Sequence, residues 1–150
     1  MDDVSDLTAH TGYWLRMVSN AVSQEFARKV AGEGVTVAEW TFLRALYGVE
    51  AAAPSVLAGR MGMTRGAISK LADRLSEKGL VARVDDPDDR RAQSLFLTTE
   101  GRQRVPVLAT LADVNDAEYF GALNVEERRE LDRLLKLLAE RRGLKTVPVD

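Results

Sequence analysis

The chain has 150 residues, 45% hydrophobic and 29% charged, with a formal net charge of −2. This length suits one domain, or one subunit of an oligomer, with a real core. There is no Cys and a single His, His10, which excludes disulfides, thiol chemistry and a multi-His metal site within one chain. No metal and no cofactor is therefore expected. No apolar run approaches the ~18 residues that a membrane span needs. The N-terminus, MDDVSDLTAH, lacks the basic and apolar regions of a secretory signal, so a cytoplasmic protein with no membrane partner is expected.

In chain order, Thr8 to Ala31 reads as a long amphipathic helix. Leu15, Val18, Val22, Phe26 and Val30 recur at spacings of three and four. Tyr13, Trp14 and Met17 widen its apolar face, and Gly32 and Gly34 end it. Thr36 and Glu39 form a capping box for the next helix, which carries Val37, Trp40, Leu43, Leu46 and Tyr47 and stops near Gly48. Glu50 to Ala53 reads as a plain connection. Pro54 suits the first position of a short helix expected to bury Val56, Leu57 and Met61, with a break at Gly62. Thr64 then caps a longer helix, Arg65 to Lys78, which ends at Gly79. Its core stripe is Ile68, Leu71, Ala72 and Leu75.

Two β-like runs follow, Leu80–Val84 and Ser94–Thr98, joined by the tip DDPDDRRAQ. Thr98 or Thr99 opens another helix, Thr99 to Phe120, with Val105, Leu108, Leu111 and Ala112 on its apolar stripe. Pro106 in its second turn predicts a bend or a break. Asn124 and Glu127 make a second capping box for a last helix, Val125 to Arg142, with Leu131, Leu134, Leu135 and Leu138 on one side.

Helix, glycine turn, helix and a hairpin with a charged tip is the order of a winged helix-turn-helix. The chain is expected to be mainly α with a small β-hairpin wing. Charge distribution points the same way. Pro54 to Arg104 holds ten Lys and Arg against seven Asp and Glu, while the remainder holds eleven against sixteen. A basic segment inside an acidic frame suits a phosphate-facing module, although a chance fluctuation of charge gives a similar count. The face of the Arg65–Lys78 helix opposite its core stripe offers Arg65, Gly66, Ser69, Lys70, Asp73 and Arg74, beside the cap Thr64. Small and hydroxyl residues there permit close approach to a groove, and Arg and Lys reach base edges or phosphates. The competing reading is an ordinary solvated helix face. In the hairpin tip, Arg90 and Arg91 suit a phosphate backbone or a narrow minor groove. The tip's four Asp would repel DNA unless anchored, and Arg74 is a candidate partner for one of them.

These residues carry a resemblance. Asp86-Pro87-Asp88-Asp89-Arg90-Arg91 followed by Ser94-Leu95-Phe96-Leu97-Thr98-Thr99-Glu100-Gly101 resembles the wing signature of the MarR (multiple antibiotic resistance regulator) family. Leu57-Ala58, the run Ile68 to Leu75 and Lys78-Gly79-Leu80-Val81 are similar to that family's helix-turn-helix. The resemblance implies a homodimer. Residues 36–98 would be the winged helix-turn-helix, and 1–35 and 99–150 the N- and C-terminal dimerisation helices flanking it. It implies double-stranded DNA with a palindromic operator as partner, with the Arg65–Lys78 helix in the major groove and Arg90 or Arg91 in the minor groove. It also implies a small phenolic or anionic effector that releases DNA. Tyr13, Trp14, Met17, Trp40, Leu43 and Tyr47 are candidate pocket wall, against the default that aromatics at helical spacing are core.

The function expected is a sequence-specific DNA-binding transcriptional regulator, a homodimeric repressor. The alternative, favoured by the net acidity and the acidic wing tip, is a winged-helix protein-interaction module that does not bind DNA. No catalytic residues are expected. There is no phosphate-cradling Gly loop, and the pairs Asp88-Asp89 and Glu126-Glu127 read as solvated charge rather than an acid–base couple.

Overall fold

The computed structural model describes residues 3–85 and 93–145. A 3-10 turn, Leu7–Ala9, precedes α1 (Thr11–Ala31), so the first helix starts three residues later than its periodicity suggests. Then come α2 (Val37–Tyr47), α3 (Pro54–Met61), α4 (Arg65–Glu77), β1 (Val81–Asp85), β2 (Gln93–Leu97), α5 (Thr99–Phe120) and α6 (Val125–Arg141). Among the described residues no helix is long and apolar enough to cross a membrane.

The helix starts follow local chemistry. Thr36 accepts from the Glu39 N–H at 3.1 Å, and Glu39 Oε1 accepts from the Thr36 N–H at 2.9 Å. Asn124 and Glu127 repeat the exchange at α6. Each such cap stabilises its helix by about 1 kcal/mol. Pro54 stands in the first turn of α3, where its missing N–H costs nothing. α5 runs unbroken through Pro106, so the break offered as one outcome of that proline does not occur.

The core lies in the middle of the chain. Ile68, Leu71, Ala72 and Leu75 of α4 meet Phe42, Leu43 and Leu46 of α2, Leu57 and Met61 of α3, Leu95 and Leu97 of β2, and Val105 and Leu108 of α5. Two expectations for this region need correction. On α3 the third buried residue is Ala58, while Val56 is 45% exposed. The helix turns its small residue inward and its Val outward. On α2 the buried set includes Phe42, whereas Tyr47 is exposed and Trp40 half-buried. A stripe drawn through the larger aromatics therefore misses the Phe that sits fully in the core.

β1 and β2 pair antiparallel, Val81 opposite Leu97 and Asp85 opposite Gln93, each strand one residue offset from its sequence reading at one or both ends. The segment before α3 is more than a connection. Ala52 exchanges backbone hydrogen bonds with Leu95 at 2.8 and 2.9 Å, adding a one-residue third strand beside β2.

The base of the hairpin is closed by α5. The Thr98 N–H donates to the Leu80 carbonyl at 3.1 Å, and the Thr98 hydroxyl donates to the Gly79 carbonyl at 2.7 Å. The same hydroxyl accepts from the Gly101 N–H at 3.0 Å, capping α5. Gly101 is buried with its Cα against Leu80, so a Cβ there would stand 2.0 Å from the Leu80 carbonyl oxygen.

Glu39 is buried at 1% exposure. Lys78, the C-cap of α4, reaches it with Nζ 3.0 Å from Oε1 as a hydrogen bond and 2.8 Å from Oε2 as an ionic contact. The same ammonium donates to the Gly34 carbonyl at 2.8 Å. Burial pushes the Glu39 carboxyl up, but the hydrogen bonds from Lys78 and Thr36 and the Lys78 charge outweigh it and hold the carboxyl below its ordinary value.

The flanking helices bury little of themselves. On α1 only Val30 is buried, and Trp14, Leu15, Met17 and Val18 are exposed. α6 buries no residue, and Leu134, Leu135 and Leu138 are exposed along it.

Three predictions follow from this packing. Gly101→Ala has to displace backbone rather than a side-chain end, and is expected to destabilise the protein by at least the ~1–3 kcal/mol of an overpacked core. Gly59→Ala, whose Cβ meets nothing within 4 Å in mid-helix, is expected to stabilise by about 0.5–1 kcal/mol; urea unfolding of both variants reads the contrast. Because the folded carboxyl of Glu39 titrates below the ordinary 4.5, its stabilisation is complete above pH 4.5 and is lost as pH falls through the lower folded value. Glu39→Gln is therefore expected to flatten the loss of stability on acidification, measured by thermal unfolding from pH 7 to pH 3.

Candidate nucleic-acid interface

The helix-turn-helix is set by one left-handed residue. Gly62 has φ +63°, and the following Met63 N–H returns to the Ala58 carbonyl at 3.0 Å. That geometry ends α3 and turns the chain into α4, a conformation that costs a glycine little. Thr64 then caps α4, accepting from the Ala67 N–H at 3.1 Å.

With Ile68, Leu71, Ala72 and Leu75 buried, the 3.6-residue period forces the opposite face outward. Thr64, Arg65, Gly66, Ser69, Lys70, Asp73 and Arg74 are all exposed there. The structure thus brings together every helix residue of the candidate DNA-binding set on one surface. Gly66 has open space where a side chain would be, apart from the Thr64 hydroxyl at 3.9 Å. This surface can approach a polyanion closely and presents Arg65, Lys70 and Arg74 to it.

The acid on that face is neutralised from the wing. Arg83 of β1 pairs with Asp73 at 2.5 Å, and its Nη1 stands 3.5 Å from the Ser76 hydroxyl. Arg83 faces the same side of the hairpin as Val81, its neighbour two residues away, which is buried. The ion pair fixes the wing against α4 and removes one negative charge from the basic face. The sequence reading sought this link between a tip Asp and Arg74. Asp86, Asp88, Asp89, Arg90 and Arg91 lie outside the described residues, while Asp85 accepts from Gln93 Nε2 at 3.2 Å. Among the described residues the link is made by an Arg from the strand and an Asp from the helix. The alternation that puts Arg83 on the α4 side of the hairpin was the available signal.

The candidate pocket residues fall into separate places. Tyr13 and Trp14 stack edge to face at 5.5 Å near the start of α1, and Trp14 Nε1 donates to the Thr8 carbonyl at 3.0 Å. Met17 is exposed on the same helix, and Leu43 is wholly within the core. Tyr47 is exposed, with the Arg44 guanidinium 5.8 Å from its ring centre. Trp40 lies edge-on to Phe26 at 6.5 Å. It also lines a cleft of about 440 Å³ between α2 and α3 with Thr41, Arg44, Arg60 and Met61. Among the described residues no acidic side chain lines that cleft. Arg44 and Arg60 were not singled out from the sequence, since lone arginines carry no motif.

Comparison with known proteins agrees with this geometry. The MarR family model matches residues 33–92. The chain is 32% identical over 133 residues, 88% of its length and 80% of the relative's, to a Thauera aromatica protein described as a transcriptional regulatory protein for the hcr operon. It is 29% identical to the HTH-type transcriptional repressor MdtR of Bacillus subtilis, over 84% of this chain and 81% of that protein. Among solved structures, a mutant of Escherichia coli MarR complexed with operator DNA superposes with a TM-score of 0.75 at 25% identity, covering 85% of this chain and 91% of that one. With helix-turn-helix, charged face and wing in one arrangement, this chain belongs to the MarR family, whose members are DNA-binding transcriptional regulators and not enzymes.

Proposed function

We propose that the chain is a homodimeric repressor that binds a palindromic operator. The observation that carries the reading is the single exposed face of α4, where Arg65, Ser69, Lys70 and Arg74 stand beside a wing anchored by Arg83. In this reading α4 reads base edges in the major groove from Thr64, Arg65, Gly66, Ser69, Lys70 and Arg74. Arg90 and Arg91 supply phosphate or minor-groove affinity. The operator complex of the E. coli relative supports DNA as the partner, and the B. subtilis repressor supports repression as the direction of control.

Two copies are proposed because the outer helices leave apolar surface uncovered. Trp14, Leu15, Met17 and Val18 of α1 and Leu134, Leu135 and Leu138 of α6 are exposed at 38–55%. Residues 1–35 and 99–150 would join across a two-fold axis. That sets two α4 helices about one DNA turn apart, roughly 34 Å. A small phenolic or anionic effector would enter the α2–α3 cleft, where Arg44 and Arg60 offer charge and Trp40 an apolar wall.

Selection from a random-sequence DNA pool is expected to return a palindrome, bound with a steep inverse dependence on salt because neutralised phosphates release counterions. Arg90→Ala and Arg91→Ala should weaken binding to all sequences alike and reduce the salt slope by about one each. Arg65→Ala or Lys70→Ala should relax preference at one base position by about 1–3 kcal/mol. Benzoate added to the selected complex should release it in the wild type and fail to in Arg44→Ala. Failure to bind any DNA at low salt, with capture of a stoichiometric protein partner, would return the reading to a protein-interaction module.

Leu134→Asp with Leu138→Asp is expected to convert the protein from two subunits to one, read by sedimentation equilibrium. A wild type that sediments as a single subunit at micromolar concentration would sink the two-fold reading.

A further inference from the structure

The turn between α1 and α2 is gripped from two sides. Lys78, at the C-cap of α4, donates to the Gly34 carbonyl at 2.8 Å. Arg104 of α5 donates through Nη1 to the preceding carbonyl, that of Glu33, at 2.6 Å. Gly34 holds φ +78°, a left-handed conformation that turns the chain between these two acceptors. Consecutive carbonyls of one turn thus hold a cation from the recognition helix and a cation from a flanking helix.

Such a turn is an unexpected place to spend two cations. Neither carbonyl carries a formal charge, and Lys78 would be stranded against α2's positive N-terminal end without a counterion. Glu39 supplies it. Its buried carboxylate closes the capping box of α2 with Thr36 and also receives the ammonium of the partly exposed Lys78. The acid is buried at 1% exposure in a place where an uncharged Gln would serve the cap equally.

The geometry explains why a second attachment is useful. Beyond α4 the chain runs through Gly79 to Leu80, whose carbonyl leaves no room for a side chain on Gly101 in α5. Lys78 lies two residues before Leu80 and reaches a different element. Lys78 thereby adds a contact of fixed direction to the apolar packing of α4 in the core.

We propose that Lys78 is a positioning residue for DNA recognition. It touches no DNA in this reading. It fixes the angle of α4 relative to the flanking helices through Gly34 and Glu39, and so sets the half-site spacing that two subunits accept. This rests on the DNA-binding reading above.

The test uses the full-length protein and three duplexes: the palindrome selected by the wild type, and the same palindrome with one base pair inserted or deleted at its centre. The variant is Glu39→Gln with Lys78→Met, which leaves no buried charge unpaired and keeps a side chain able to close the capping box. The wild type and Lys78→Arg are expected to bind the selected duplex in preference to both altered ones. The double variant is expected to lose that discrimination while its binding to random duplex at low salt stays unchanged. A merely structural role would lower the melting temperature and weaken all duplexes together, leaving their ratio as in the wild type, and that result would overturn the proposal. If the double variant does not fold, Glu39→Gln alone must show a reduced spacing preference, and an unaltered preference overturns it equally. A wild type that selects no DNA removes the underlying reading instead, and is told apart from failure of the proposal by that first step.

Discussion

The structure depends on one close approach of backbone to backbone. At Gly101 the first turn of α5 lies against the Leu80 carbonyl with no room for a methyl group. Around it, Thr98 uses its N–H and both capacities of its hydroxyl: it donates to Leu80 and Gly79 and accepts from Gly101. Four elements meet in these few atoms, since Leu80 lies between α4 and β1 while Thr98 follows β2 and caps α5. The Leu80 N–H also returns to the Leu75 carbonyl at 2.9 Å. The wing is thereby seated at its base without a large apolar core of its own, which a two-stranded hairpin in water would lack.

From that junction the molecule divides by how its apolar surface is used. The middle of the chain closes on itself, with Phe42, Leu57, Ile68, Leu75 and Leu95 fully buried. The first and last helices do not. Trp14 and Leu15 of the one and Leu134, Leu135 and Leu138 of the other remain at the surface. Where the first helix joins the rest, Val30 and Phe26 pack on the core, and polar contacts add direction: Lys29 to Asn115 at 3.0 Å, Asn115 to the Val22 carbonyl at 3.2 Å, and Arg104 to the Glu33 carbonyl. Hydrogen bonds of fixed direction set an angle where apolar packing would allow sliding.

What was legible from sequence was what is local. Thr36 with Glu39 and Asn124 with Glu127 announce their helices because capping partners lie three residues apart. Ile68, Leu71, Ala72 and Leu75 announce the buried side of α4 because a helix repeats every 3.6 residues. The exposed face of α4 follows from that stripe by subtraction. What was not legible depends on partners far along the chain. Lys78 and Glu39 are 39 residues apart, and neither hints at the other. The Ala52 strand is one residue long and has no period to read. Gly101 looks like any glycine near a helix start until Leu80 is placed against it. Val56 and Ala58 show a different limit, since hydropathy ranks Val first while the space available admits Ala.

The single bridge at Ala52 has a consequence for the hairpin's outer rim. β2 has neighbours on both sides, Ala52 on one and β1 on the other. Among the described residues β1 pairs only with β2, so its other side presents unmatched amide and carbonyl groups. A strand in that condition is a template for adding a foreign strand, the first step toward aggregation. β1 is five residues long and carries Arg83 and Asp85 in its outer half. Shortness and charge discourage such addition. The wing is thus protected by covering on one flank and by electrostatic deterrence on the other, which lets a thin two-stranded element stand out from the protein without seeding fibres.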